Sequence, residues 1–164
     1  MSKYFATITW SCNGQTFTDN RYKRSHIWQF DGGEIVRASA SPHVVPTPLS
    51  DPSAVDPEEA FVAALSSCHM LWFLSIAAKR GLKIEKYEDK AEGIMEKNDD
   101  GKFAFTEVTL CPHVIYENDS SPSVEEDAEM HHQAHEECFI ANSVKTKIKV
   151  ESTKCEKTAI LRKK

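Results

Sequence analysis

The sequence has no excess of basic residues: 20 Lys and Arg stand against 25 Asp and Glu, a net charge of −5. No nucleic-acid partner is expected, because that electrostatic footprint is basic. No apolar run reaches the roughly 18 residues of a membrane span, the longest candidate being closed by Lys79 and Arg80. The opening MSKYFATITW lacks the apolar segment of a secretory signal. These absences lead to the expectation of a cytoplasmic protein with no membrane partner. No internal repeat is visible, and a CxxC pair, the stronger zinc signal, does not occur. The five cysteines, Cys12, Cys68, Cys111, Cys138 and Cys155, are odd in number and do not read as a disulfide framework. In a reducing compartment the useful question is which thiols react.

At 164 residues the chain is expected to form one domain, 1–164, with a real core. Tyr4, Ala6, Ile8 and Trp10 alternate with smaller or polar residues as in a half-buried strand. His26, Trp28 and Phe30 do the same and end at the turn signal Asp31-Gly32-Gly33. The polar segment between them reads as a loop or frayed hairpin. The stretch SPHVVPTPLSDPSAVDP is too rich in proline for regular structure and reads as an ordered lead-in to a helix. Ile84–Lys97 and Phe103–Glu117 read as two long strands joined by Asn98-Asp99-Asp100-Gly101. Phe103 and Phe105 are out of phase with Val108 and Leu110, which predicts a bulge near Thr106. A final strand alternates Thr146, Ile148 and Val150 with lysines and leads to a basic tail. The order β, β, helix, β, β, helix, β is that of an α+β fold.

Both helices announce their starts. Asp56-Pro57-Glu58-Glu59 combines a capping Asp, a proline at the first helical position and acids in the first turn. This helix is expected to end at Lys79-Arg80, before Gly81. Phe61, Leu65, Cys68, Trp72 and Ile76 share one face, yet most other faces are apolar too, which predicts a central, buried helix. Ser121-Pro122-Ser123 starts the second helix, VEEDAEMHHQAHEECF, whose Glu125, Glu126, Asp127 and Glu129 read as helix-start charges facing water.

A reactive cysteine needs a cation or a helix N-terminus to hold its thiolate. Cys68 lies roughly 16 Å beyond Pro57 along the axis, too far to use the dipole of its own helix. A cation must therefore come from elsewhere, and Arg21-Tyr22-Lys23-Arg24 is a source. A cysteine in mid-helix also reads simply as core. Cys138, at the end of the second helix, changes the balance. Two close thiols can reduce a peroxide, one becoming a sulfenic acid and the other condensing with it to a disulfide. A rival constellation is His131, His135 and Cys138 on one helix face, with His132 and His69 as further candidates. Imidazole and thiolate suit zinc, which makes a non-enzymatic redox-sensing or zinc-binding protein the alternative. HHQAHEE also reads as a solvated helix face. Cys12, Cys111 and Cys155 read as structural or incidental.

These pieces resemble the OsmC/Ohr family of thiol peroxidases. Asp56 to Cys68 resembles the family's Asn/Asp-Pro-Glu-x-x-x-x-Ala-x-x-x-x-Cys helix start, and Ala134-His135-x-x-Cys138-x-x-x-Asn142-Ser143 its second-cysteine motif. The order of elements matches over nearly the whole chain. The resemblance implies antiparallel sheets around two central helices in an intertwined homodimer. It implies that Cys68 is the peroxidatic cysteine and Cys138 the resolving one. It also implies that Glu58 pairs with an arginine that steadies the thiolate: Arg24, with Arg21 and Arg37 as alternatives. The expected partners are a small organic hydroperoxide, with Trp72 and Phe61 favouring an alkyl group, and a dithiol reductant, lipoyl-type in the family. No cofactor or metal is expected, and the implied role is oxidative-stress defence. His69 is a departure, since an aromatic or small residue usually follows the first cysteine.

Overall fold

In the computed structural model, which describes residues 1–117 and 121–152, the N-terminal alternation becomes a three-stranded antiparallel sheet. Its strands are β1 (Ala6–Thr9), β2 (His26–Phe30) and β3 (Ile35–Ala38), in the order β1-β2-β3. Ile8, Trp28 and Val36 are cross-strand partners. The strand β3 is not foreseen in the sequence; it follows the expected turn, where Gly33 takes φ +92° and its N–H donates to Phe30 O at 3.0 Å. The segment between β1 and β2 is held by an aromatic cluster. Phe17 stacks on Tyr22 at 4.7 Å, and Trp10 meets Tyr22 edge-on at 5.2 Å. The proline-rich lead-in is ordered, as expected: Val55 bridges Ala38, with Ser39 N–H on Val55 O and Val55 N–H on Arg37 O.

The chain divides into two compact units, Met1–Phe61 and Val62–Lys164. The helix α1 (Pro57–Lys79) begins in the first and continues through the second. Asp56 caps it: its Oδ1 accepts from Glu59 N–H at 2.7 Å, and its own N–H donates to the Glu59 carboxylate at 3.3 Å. Gly81 ends it at φ +77°, where a side chain would be strained. Burial differs from the expectation of a helix covered all round. Only Leu65, His69, Phe73 and Ala77 are buried, a row at i, i+4 spacing that faces the rest of its unit. Leu71, on the opposite side, is 64% exposed. The helix also contains an 18-residue window apolar enough, by length and composition, to cross a membrane. The expected exclusion of any such segment therefore fails for α1.

In the second unit each expected long strand is two. The strands are β4 (Ile84–Asp89), β5 (Glu92–Lys97), β6 (Phe103–Leu110) and β7 (Pro112–Tyr116), followed by α2 (Val124–Glu137) and β8 (Lys147–Val150). β4 pairs with β7, while β5, β6 and β8 form a second sheet. The ribbon changes sheet at Lys90-Ala91 and at Cys111. Asp89 stabilises that break: its Oδ1 accepts from the Cys111 N–H at 2.6 Å and its Oδ2 from Ser66 on α1 at 2.5 Å. The register shifts between Ile94 and Met95, which pair with Glu107 and Phe105 and leave Thr106 as the predicted bulge. Gly93 lies beneath Phe105, where a Cβ would come within 2.7 Å of that ring and of Val62.

The sheets are not antiparallel throughout: β8 runs parallel to β6. The chain returns through the crossover helix α2 and so re-enters the sheet in the same direction. α2 opens with a reciprocal cap, Ser123 Oγ accepting from Glu126 N–H and Glu126 Oε2 from Ser123 N–H. Phe73, Ala77, Met130 and Ala134 form the core between α1 and α2, with Tyr87, Val114 and Tyr116 packed against it. The basic tail and Cys155 lie outside the described residues.

Candidate functional site: a thiol pair beside a buried histidine pair

The two motif cysteines lie near one another. Cys138 caps the C-terminus of α2 and is 1% exposed. Its Sγ accepts from Ala141 N–H at 3.4 Å, and the thiol of Cys68 lies close enough to perturb it. Burial first, and then the neighbouring Cys68 thiol, pushes the Cys138 thiol up to about 11. Near neutral pH Cys138 therefore remains a protonated thiol. Cys68, by contrast, is half-buried and opens onto a cavity of about 520 Å³. The walls are chiefly apolar: Leu71 and Trp72 from α1, Phe139 and Ile140 from the turn after α2. Trp72 meets Phe139 edge-on at 5.5 Å. Phe61, expected beside Trp72, is not part of this lining. One accessible thiol at an apolar cavity, beside one buried protonated thiol, is an arrangement that can form a disulfide once the first sulfur has been oxidised.

His69 turns away from this cavity. It is 1% exposed, and its Nε2 shares a hydrogen bond of 3.0 Å with Nδ1 of His131, itself 4% exposed. The rings are nearly parallel, and His131 also stacks on Phe73 at 4.2 Å. Burial holds both imidazoles neutral. His69 is pushed down to about 3, with further contributions from His131 and His135, and His131 to about 4. Among the described residues, the other nitrogen of each ring has no hydrogen-bond partner. Asp127 Oδ2 lies 3.7 Å from His131 Nε2, too far to bond, and Tyr116 donates to Asp127 Oδ1 at 2.7 Å.

This geometry corrects the zinc alternative. Among the described residues no group of three or more His, Cys, Asp or Glu is placed to hold a metal. His131 is engaged by His69, Cys138 is buried near Cys68, and His132 faces solvent beside Glu136 at 3.4 Å. The reading of HHQAHEE as a solvated face is also only half right, since His131 and Ala134 are buried. Asp127, expected to face water, is half-buried and bonded to Tyr116.

The expected Arg24–Glu58 pair is not formed. The Arg24 guanidinium bonds to Tyr22 O and to the Asn20 side chain, and lies 3.8 Å over the Tyr22 ring. Glu58 Oε2 is buried with no partner among the described residues. Arg37 is held by Asp51 at 3.0 Å, and the Arg21 backbone N–H is bonded to Asp19. Cys12 and both motif cysteines are free thiols. Cys111, read in the sequence as structural or incidental, is disulfide-bonded. Sequence reasoning missed Leu71, Phe139 and Ile140 as cavity walls. Phe139 could have been found, because it directly follows the second cysteine.

A family model described as OsmC-like protein matches residues 50–153. Among solved structures, the chain is similar to an OsmC-like protein of unknown function from Vibrio cholerae. The two are 56% identical over 92% of this chain and 99% of that one, with a TM-score of 0.90. An organic hydroperoxide resistance protein from Elizabethkingia anophelis shares the fold at 18% identity, covering 92% of this chain and 93% of that one, with a TM-score of 0.67. An OsmC-like protein from Mycoplasma pneumoniae does so at 20% identity, covering 93% and 96%, with a TM-score of 0.69. No curated protein gives a significant match.

Proposed function

Since this chain belongs to the OsmC-like family, we propose that it is a thiol-dependent peroxidase that reduces organic hydroperoxides in oxidative-stress defence. The observation that carries this reading is the proximity of the Cys68 and Cys138 thiols, with Cys68 lining an apolar cavity. Cys68, as thiolate, attacks the distal peroxide oxygen. The O–O bond breaks, Cys68 becomes a sulfenic acid, and the alkoxide leaves as alcohol after taking a proton. The Cys138 thiol then attacks the Cys68 sulfur, and water departs as the disulfide forms. An external dithiol, lipoyl-type in the family, is oxidised as it returns both thiols.

The surroundings of the two cysteines support the roles assigned to them. A thiol held near 11 is a poor first nucleophile at neutral pH, whereas Cys68 faces the cavity where substrate would lie. The walls of Leu71, Trp72, Phe139 and Ile140 favour an alkyl or aryl hydroperoxide over hydrogen peroxide. Arg24 is the cation we assign to the thiolate, as the family resemblance implies, with Arg21 and Arg37 as the alternatives. Glu58 is its positioning partner, since its orphaned Oε2 is the acceptor that a guanidinium would need. A homodimer would cover the exposed face of α1 around Leu71, in keeping with a soluble, cytoplasmic protein.

The test is turnover of cumene hydroperoxide with a dithiol reductant. Cys68→Ser should abolish it, and Cys138→Ser should leave a sulfenic acid that dimedone labels. An undiminished rate in Cys68→Ser would refute the assignment.

A further inference from the structure

Cys68 and His69 are adjacent on α1 but belong to different rows of it. His69 and Phe73 meet α2 at His131, in the middle of that helix. Trp72 meets Phe139, and Cys68 lies near Cys138, at its C-terminal end. The two contact points on α2 lie two turns apart, about 10 Å along the axis. Around the histidines the interface is Phe73, Ala77, Met130 and Ala134, close-packed but without direction. The His69–His131 hydrogen bond is the buried directional tie there. A rotation of α2 by about 5° about this point would carry Cys138 about 1 Å from Cys68, a displacement large enough to impair a bond-forming step.

Stability does not account for the pair. It leaves His69 Nδ1 and His131 Nε2 buried without hydrogen-bond partners among the described residues. Such groups cost free energy, and an apolar pair of similar shape is neutral or better. We propose that His69 and His131 are positioning residues whose hydrogen bond across α1 and α2 sets the approach of the Cys68 and Cys138 sulfurs. This rests on reading Cys68 and Cys138 as a redox pair. The histidines act through the helices that carry the sulfurs.

The test uses the full chain and no peroxide. The equilibrium between the Cys68–Cys138 disulfide and its dithiol is measured against oxidised and reduced dithiothreitol, by alkylation and peptide mass. The double variant His69→Leu, His131→Leu should keep or raise the melting temperature. Its equilibrium should nevertheless shift by about tenfold toward the dithiol, the factor that ~1.4 kcal/mol represents. His69→Gln places an amide where Nε2 lies and should stay within about threefold of wild type, less than half that free energy. A folded double variant with the wild-type equilibrium overturns the proposal. If the double variant does not fold, His69→Asn, whose amide is too short to reach His131, is read in the same way. A wild-type chain that forms this disulfide but turns over no hydroperoxide overturns the peroxidase reading alone. One that never forms the disulfide overturns both.

Discussion

Acid should destabilise this protein before its carboxylates titrate, through the buried histidine pair. His69 and His131 stay neutral in the fold, at about 3 and about 4, while an unfolded histidine takes its proton near 6.5. Below that point the unfolded chain binds more protons. Stability is therefore complete above about pH 6.5 and falls as the pH drops toward the folded values. At about pH 5 each imidazole kept neutral costs about 2 kcal/mol, so the pair costs about 4 kcal/mol. The carboxylates held low by their partners, among them Asp51, Glu88, Glu107 and Glu126, lose their contribution only as the pH falls below the ordinary carboxylate range. Asp89 works in the opposite sense. Burial raises its pKa, so protonation as the pH falls through that raised value relieves a cost. The assay is urea unfolding at pH 7 and pH 5. Wild type should lose about 4 kcal/mol between them, and the double variant His69→Leu, His131→Leu less than about 1 kcal/mol. Equal losses in the two proteins would refute the argument that the buried pair stays neutral.

Two further perturbations probe the frame that holds the site. Asp89→Ala removes the acceptor for both Ser66 and the Cys111 N–H, and should cost about 2–3 kcal/mol in chemical denaturation; a loss below about 0.5 kcal/mol would mean that water replaces the carboxylate at the strand break. Gly93→Ala drives a Cβ into Phe105 and Val62 and should cost about 1–3 kcal/mol, whereas an unchanged melting temperature would show that the Phe105 ring gives way freely.

The ends of the two helices, the bulge at Thr106 and the N-terminal strands are legible in the sequence because each is set by local chemistry. Caps, a positive-φ glycine and a change of phase act within a few residues. What the sequence conceals is non-local. The strand β3 is short, and its pairing with β2 becomes visible only in space. The breaks at Lys90-Ala91 and Cys111 depend on Asp89 reaching across from β4. The parallel entry of β8 depends on where α2 delivers the chain. The candidate site divides in the same way. Cys68 and Cys138 stand out by motif, and the two thiols lie near one another. His69 is puzzling in sequence because its reason is His131, 62 positions away. The periodicity assigned Cys68 to the buried face, but the buried row is the one that holds His69.

The central claim is that Cys68 and Cys138 form one redox unit. Its most direct measurement is peptide mapping under non-reducing conditions after one equivalent of cumene hydroperoxide is added to the fully reduced chain. The account predicts a single new cross-linked peptide pair joining Cys68 to Cys138, reversed by a dithiol. Both cysteines recovered as free thiols, or Cys68 linked elsewhere, would contradict it.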